Sequence, residues 1–178
     1  MIRRGAQRLG RFARREDGNP TIEFVIWFPF LFFFMYASFE LSLMTMRHAM
    51  LERGLDIAVR EIRLGTGETP QHDDIKATVC ENAIVMPGCD ANLRLEMRPT
   101  DMRDWRALPT RADCTDRSEE ARPLREFTPG TANELMLLRA CLKVQPLSPA
   151  SWLIDYMQTD AAGDVSIIVT SAFVQEPR

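Results

Sequence analysis

Phe24 to Phe39 is a run of sixteen residues without a charge. One acidic residue, Glu23, stands at its mouth. Hydrocarbon does not solvate charge, so a carboxylate there is costly and demands a reason. Counted from Phe24 to Met46, with Glu40 as the one interruption, the apolar stretch is 23 residues long. That is enough to cross a bilayer core of ~30 Å with some tilt. The stretch is rich in phenylalanine (Phe28, Phe30, Phe32, Phe33, Phe34), and Pro29 inside it predicts a kink. Met35 to Glu40 offers no small-residue cleavage pattern of a secretory signal, so the segment is expected to be kept.

Charge fixes the orientation. Residues 1–18 carry six arginines (Arg3, Arg4, Arg8, Arg11, Arg14, Arg15) against Glu16 and Asp17. The remaining residues carry 16 Lys and Arg against 23 Asp and Glu. A basic end beside an apolar helix stays in the cytoplasm, which puts everything beyond the helix outside. The acidic remainder argues against nucleic acid as a partner and leaves membrane lipid as the expected one.

Asn19-Pro20 is a good helix start: Asn caps, and Pro at the first helical position loses no hydrogen bond. Leu51, Leu55, Ala58 and Ile62 continue the helical spacing beyond the apolar stretch, and Gly65-Thr66-Gly67 supplies a stop. A helix from Pro20 to Leu64 would be ~68 Å long at ~1.5 Å per residue. A short helix is expected over 73–84. Strands are expected at Leu93–Arg98, from Leu138 onward, and at Val165–Val174. The last is apolar on both faces and so is expected in the middle of the sheet. Residues 99–130 read as a long surface loop, and 146–157 as a connection or short helix.

All four cysteines, Cys80, Cys89, Cys114 and Cys141, lie beyond the apolar segment. They lack C-x-x-C spacing, and His48 and His72 are not placed to complete a zinc site. In an exported domain they read as two disulfides. Three pairings are open; Cys80–Cys89 with Cys114–Cys141 closes short loops and is favoured. No nucleophile elbow, phosphate loop or zinc-protease motif occurs, so no catalytic residue, cofactor or metal is expected. His72-Asp73-Asp74 is read as a helix opening rather than a cation site.

From Gly18 to Phe24 the chain resembles the TadE-like pseudopilins of tight-adherence (type IVc) pilus systems. Gly18 corresponds to the last leader residue, Glu23 follows five residues later, Phe24 comes next, and the apolar helix begins at once. The ending Ala172 to Pro177 is also similar to the family's strand followed by Glu-Pro. The resemblance implies cleavage by a prepilin peptidase between Gly18 and Asn19. It also implies an assembly role for Glu23, whose carboxylate would meet the new α-amino group of a neighbouring subunit. Residue 23 alone leaves a second reading open, that of a carboxylate at headgroup level capping the helix. Glu40 is expected either to pair with a partner helix or to reach the outer interface. The resemblance, taken with a length greater than that of the family's major pilins, further implies a minor pilin, with other pilins and the inner-membrane assembly platform as partners. The expected architecture is α+β. A leader over 1–18 precedes a transmembrane and extended helix over 19–64. A periplasmic domain over 65–178 then holds a small antiparallel sheet of three to four strands packed on the helix.

Overall fold

The computed structural model describes residues 20–64, 70–103, 109, 111–115, 127–147 and 159–177. The leader, with Gly18 and Asn19, and the expected stop at 65–67 lie outside the described residues, as does most of the connection at 146–157. The chain forms two compact units, Met1–Phe39 and Glu40–Arg178.

One helix, α1 (Pro20–Leu64), contributes to both units, and Pro29 lies inside it without ending it. In the first unit the described side chains are almost all exposed: Phe24, Trp27, Leu31 and Phe34 each keep more than half of their surface. Its composition and length suffice to cross a membrane.

The second unit begins with the rest of α1. Met44, Leu51, Leu55, Ala58, Val59 and Ile62 are buried, recurring at three- and four-residue steps. That stripe is what an amphipathic helix presents to a core. A second helix, α2 (His72–Asn82), buries Ile75 and Val79. Its start is fixed locally: the Gln71 N–H donates to Asp74 Oδ2 across 2.9 Å, satisfying a donor at the helix start. A single turn, α3 (Cys89–Asn92), leads into the sheet.

Three strands, β1 (Leu93–Pro99), β2 (Leu135–Val144) and β3 (Val165–Val174), pair antiparallel in the order β1-β2-β3. Side chains alternate across a strand. Leu93, Leu95 and Met97 therefore share one face with Met136, Leu138, Ala140, Leu142 and Val144, and with Val165, Ile167, Val169 and Phe173. These residues join the buried helical stripe in one core. Each fully buried leucine contributes about 1.5–3 kcal/mol. At the far end, Gln175 Nε2 donates to the Ile62 carbonyl (3.5 Å) and Arg63 pairs with Glu176 (3.1 Å). Arg47 Nη1 donates to the Gln145 carbonyl at 3.0 Å.

The middle strand is β2, not β3. Every β2 residue from Met136 to Val144 is buried, whereas Ile168 and Val174 on β3 are 43% and 48% exposed. Arg139 and Lys143 gave β2 the look of a half-solvated strand. Both are buried, because ion pairs replace the water they would otherwise need.

Candidate functional site

The first unit holds the residues at the mouth of the apolar helix. Glu23 lies in the first turn of α1, where the N–H groups and the helix dipole favour a negative charge. Phe24 follows. Its ring lies 5.0 Å from that of Phe28, which stacks on Phe32 at 6.0 Å. Spacing by four residues puts the three rings in one row along the helix. Trp27 and Phe30 meet on another face at 6.3 Å. The helix thus presents an acidic first turn and, immediately after it, an exposed aromatic surface. An exposed apolar surface of this kind marks a site for membrane or protein contact.

Glu40 departs from expectation. It does not reach an interface: it is 1% exposed, and among the described residues neither carboxylate oxygen has a hydrogen-bond partner. It stands on the same helical stripe as Met44, Arg47 and Leu51, which points into the second unit.

The outer face of the sheet carries a polar cluster that the strand pattern concealed. Glu96 and Arg139 are cross-strand partners, 4% and 7% exposed. Arg139 Nε donates to Glu96 Oε2 at 2.6 Å, and Nη1 donates to the Pro109 carbonyl at 2.8 Å. The Asp113 N–H donates to the same Glu96 oxygen at 3.1 Å, and the Asp113 carboxylate pairs with Arg94 at 3.1 Å. Beside them Cys114 is bonded to Cys141 on β2. Pro109, Asp113 and Cys114 are therefore fastened to the sheet by one covalent bond, one ion pair and two hydrogen bonds. The signal in the sequence was the presence of Arg139 and Lys143 within an otherwise apolar strand.

The other bridge, Cys80–Cys89, ties α2 to α3. The turn between them contains Val85 at φ 70°, a strained conformation for a β-branched residue. No cysteine is free.

Lys143 reaches Asp160 at 2.9 Å. Burial works to raise the Asp160 pKa. The Lys143 ammonium and the N–H groups of Asp164 and Ala162 outweigh that, and hold the carboxyl below the ordinary aspartate value. His72 Nδ1 lies 2.8 Å from Asp73 Oδ1, which lowers the Asp73 pKa through hydrogen bonding and charge, and its ring meets Phe127 edge-on at 5.4 Å. Among the described residues, no three His, Cys, Asp or Glu side chains converge on a point where a metal ion would sit.

Residues 21–60 match the family model described as TadE-like protein. The match begins two residues before Glu23 and ends within the part of α1 that packs on the sheet. It supports a TadE-like protein and suggests a relation to Tad pili. Neither curated proteins nor solved structures yield a match to the chain.

Proposed function

We propose that this TadE-like protein is a minor pseudopilin of a tight-adherence (type IVc) pilus. A prepilin peptidase processes it after Gly18, and it acts in priming, assembly or tip formation. The observation that carries this reading is the match over residues 21–60, which contains both Glu23 and the exposed apolar helix. The arginine-rich leader stays in the cytoplasm and the second unit lies in the periplasm, as the charge bias predicts. The role is one of assembly rather than catalysis.

In this reading Glu23 marks the register between subunits. Cutting after Gly18 frees an α-amino group at Asn19. As one helix slides along another, that ammonium meets the Glu23 carboxylate of its neighbour. The two charges are less costly together than apart in a low-dielectric setting, and removing one strands the other. The Phe24-Phe28-Phe32 row supports the same contact by offering apolar surface beside it. Partners are then other pilins, the inner-membrane platform and the peptidase.

Intact mass of the native protein tests the processing step. A chain beginning at Asn19, and one beginning at Met1 when a bulky residue replaces Gly18, are expected. A native chain that retains its arginines would instead indicate an uncut membrane anchor. Glu23→Ala should insert normally yet fail to assemble; normal piliation would remove the register role.

A further inference from the structure

We propose that the turn at Ile84-Val85 is a membrane contact: its two apolar side chains enter the outer headgroup layer of the bilayer that α1 crosses. The inference rests on the reading of α1 as a transmembrane helix with the second unit outside. Ile84 is 62% and Val85 45% exposed, and among the described residues from 70 to 101 no other large apolar side chain is exposed. A single such side chain on a surface needs no account. Two neighbours in a strained turn do. Val85 has φ 70°, a left-handed conformation that costs a β-branched residue energy and persists only where its surroundings enforce it. Ala83 and Met86, on either side of the pair, are buried. Cys80–Cys89 closes the segment. Asn82-Ala-Ile-Val-Met-Pro-Gly88 carries no charge. The turn is a fixed, neutral tip that presents Ile84 and Val85 outward.

Two separate packings place this tip at the end of the second unit nearest the apolar stretch. The first is that α2 runs antiparallel to α1. Thr78 Oγ1 donates to Glu61 Oε2 at 3.2 Å. Ile75 lines a small cleft with Ala58 and Ile62. Val79 and Ala83 meet α1 at Gly54. Moving along α2 therefore means moving back along α1 from Ile62 to Gly54, and Ile84 comes next. The second is the end of β2. Arg47 Nη1 donates to the Gln145 carbonyl at 3.0 Å, and Leu93, which follows α3 directly, pairs with Leu142 near that end. The turn joining α2 to α3 thus lies alongside the Arg47–Gly54 part of α1.

Depth then selects lipid as the occupant. The apolar stretch ends at Met46, which is exposed, as are Phe39 and Leu41 before it. Gly54 lies eight residues further, or ~12 Å at ~1.5 Å per residue. Headgroups fill roughly 5–8 Å on each side of a hydrocarbon core of ~30 Å. Side chains that hang from the Gly54 level towards Met46 enter that layer, where apolar groups are stabilised at the boundary with the acyl chains. The tip also lacks a charge with which to recognise a polar partner.

Full-length protein in phospholipid nanodiscs tests the contact. Ile84→Cys, Phe34→Cys and Leu64→Cys chains each carry one nitroxide label, with both native disulfides verified by mass. Phe34 lies within the apolar stretch and Leu64 at the far end of α1. The Ile84 and Phe34 labels are expected to collide with oxygen in preference to a water-soluble nickel chelate, and the Leu64 label to do the reverse. Val85→Cys supplies a second position on the tip and should report as Ile84→Cys does. A water-like signal at both tip positions beside a lipid-like Phe34 overturns this inference alone. A water-like Phe34 label overturns the transmembrane reading with it. Tip labels shielded from both reagents mark a protein partner and also overturn it.

Discussion

Glu96 and Arg139 stand directly opposite each other on β1 and β2, with Arg139 Nε 2.6 Å from Glu96 Oε2 and both side chains almost wholly buried. A buried pair is costly to break from one side only, because the remaining charge keeps its desolvation penalty. Arg139→Ala and Glu96→Ala should each lower the unfolding free energy by about 3–5 kcal/mol. Arg139→Met combined with Glu96→Leu should recover much of that loss. Denaturant titration of the four proteins checks it; additive losses in the double variant would refute the coupling.

The same face is held by Cys114–Cys141, and α2 is held to α3 by Cys80–Cys89. By loop-closure entropy the longer loop, 27 residues apart in sequence, contributes about 3.5 kcal/mol and the shorter, 9 apart, about 2.5 kcal/mol. Replacing Cys114 and Cys141 together by serine should therefore cost more than replacing Cys80 and Cys89. Unfolding midpoints of the two double variants decide the order. Finding free thiols in the native protein would contradict both bridges.

Much of this architecture was legible because period and burial agree. Leu51, Leu55, Ala58 and Ile62 repeat at helical steps and all are buried, so sequence and packing state the same thing. The edge position of β3 was not legible. Ile168 and Val174 look like core residues but face outward, while Arg139 and Lys143 look solvated but are covered. Pattern records hydrophobicity; it does not record the partners that make a buried charge tolerable. Glu96 and Asp160, the partners that do so, lie 43 and 17 residues from Arg139 and Lys143 in sequence, beyond the reach of any local period. Glu40 was hidden for a related reason, since nothing local distinguishes a carboxylate that snorkels from one that is enclosed.

Asp160 makes stability depend on pH in one direction. Its folded pKa lies below its unfolded value of ~3.9. The stabilisation is thus fully present above the unfolded pKa and is lost as pH falls through the folded value. Asp160→Asn should be less stable than the native protein at neutral pH, and the gap should close on acidification below about pH 4. Thermal midpoints across that range test this. A gap independent of pH would mean that the Lys143 ammonium contributes little.

Gly54 marks the close approach of α1 to α2. A Cβ placed there would lie 2.7 Å from the Val79 carbonyl oxygen and 3.3 Å from the Ala83 Cβ. Alanine gains up to ~1 kcal/mol over glycine in a helix interior. Overpacking against backbone costs about 1–3 kcal/mol, so the clash should win. Gly54→Ala is expected to lower the unfolding midpoint and Gly54→Leu to lower it further. A stabilised Gly54→Ala protein would show that α2 shifts freely.

Glu40 should behave in the opposite way. Its carboxylate is enclosed on the core-facing stripe and, among the described residues, unpartnered. A buried polar group without a hydrogen bond costs about 1–3 kcal/mol by mutational measure. Leucine at this position keeps the apolar stem and removes that cost, so Glu40→Leu should stabilise the full-length chain by a similar amount. Glu40→Gln removes the charge but keeps a polar amide, and should fall between the two. Chemical denaturation in detergent, followed through the second unit's tryptophan-free strands by circular dichroism, ranks the three proteins. If Glu40→Leu is the least stable of them, the carboxylate is anchored by a donor, and its burial is part of what holds the helix to the sheet.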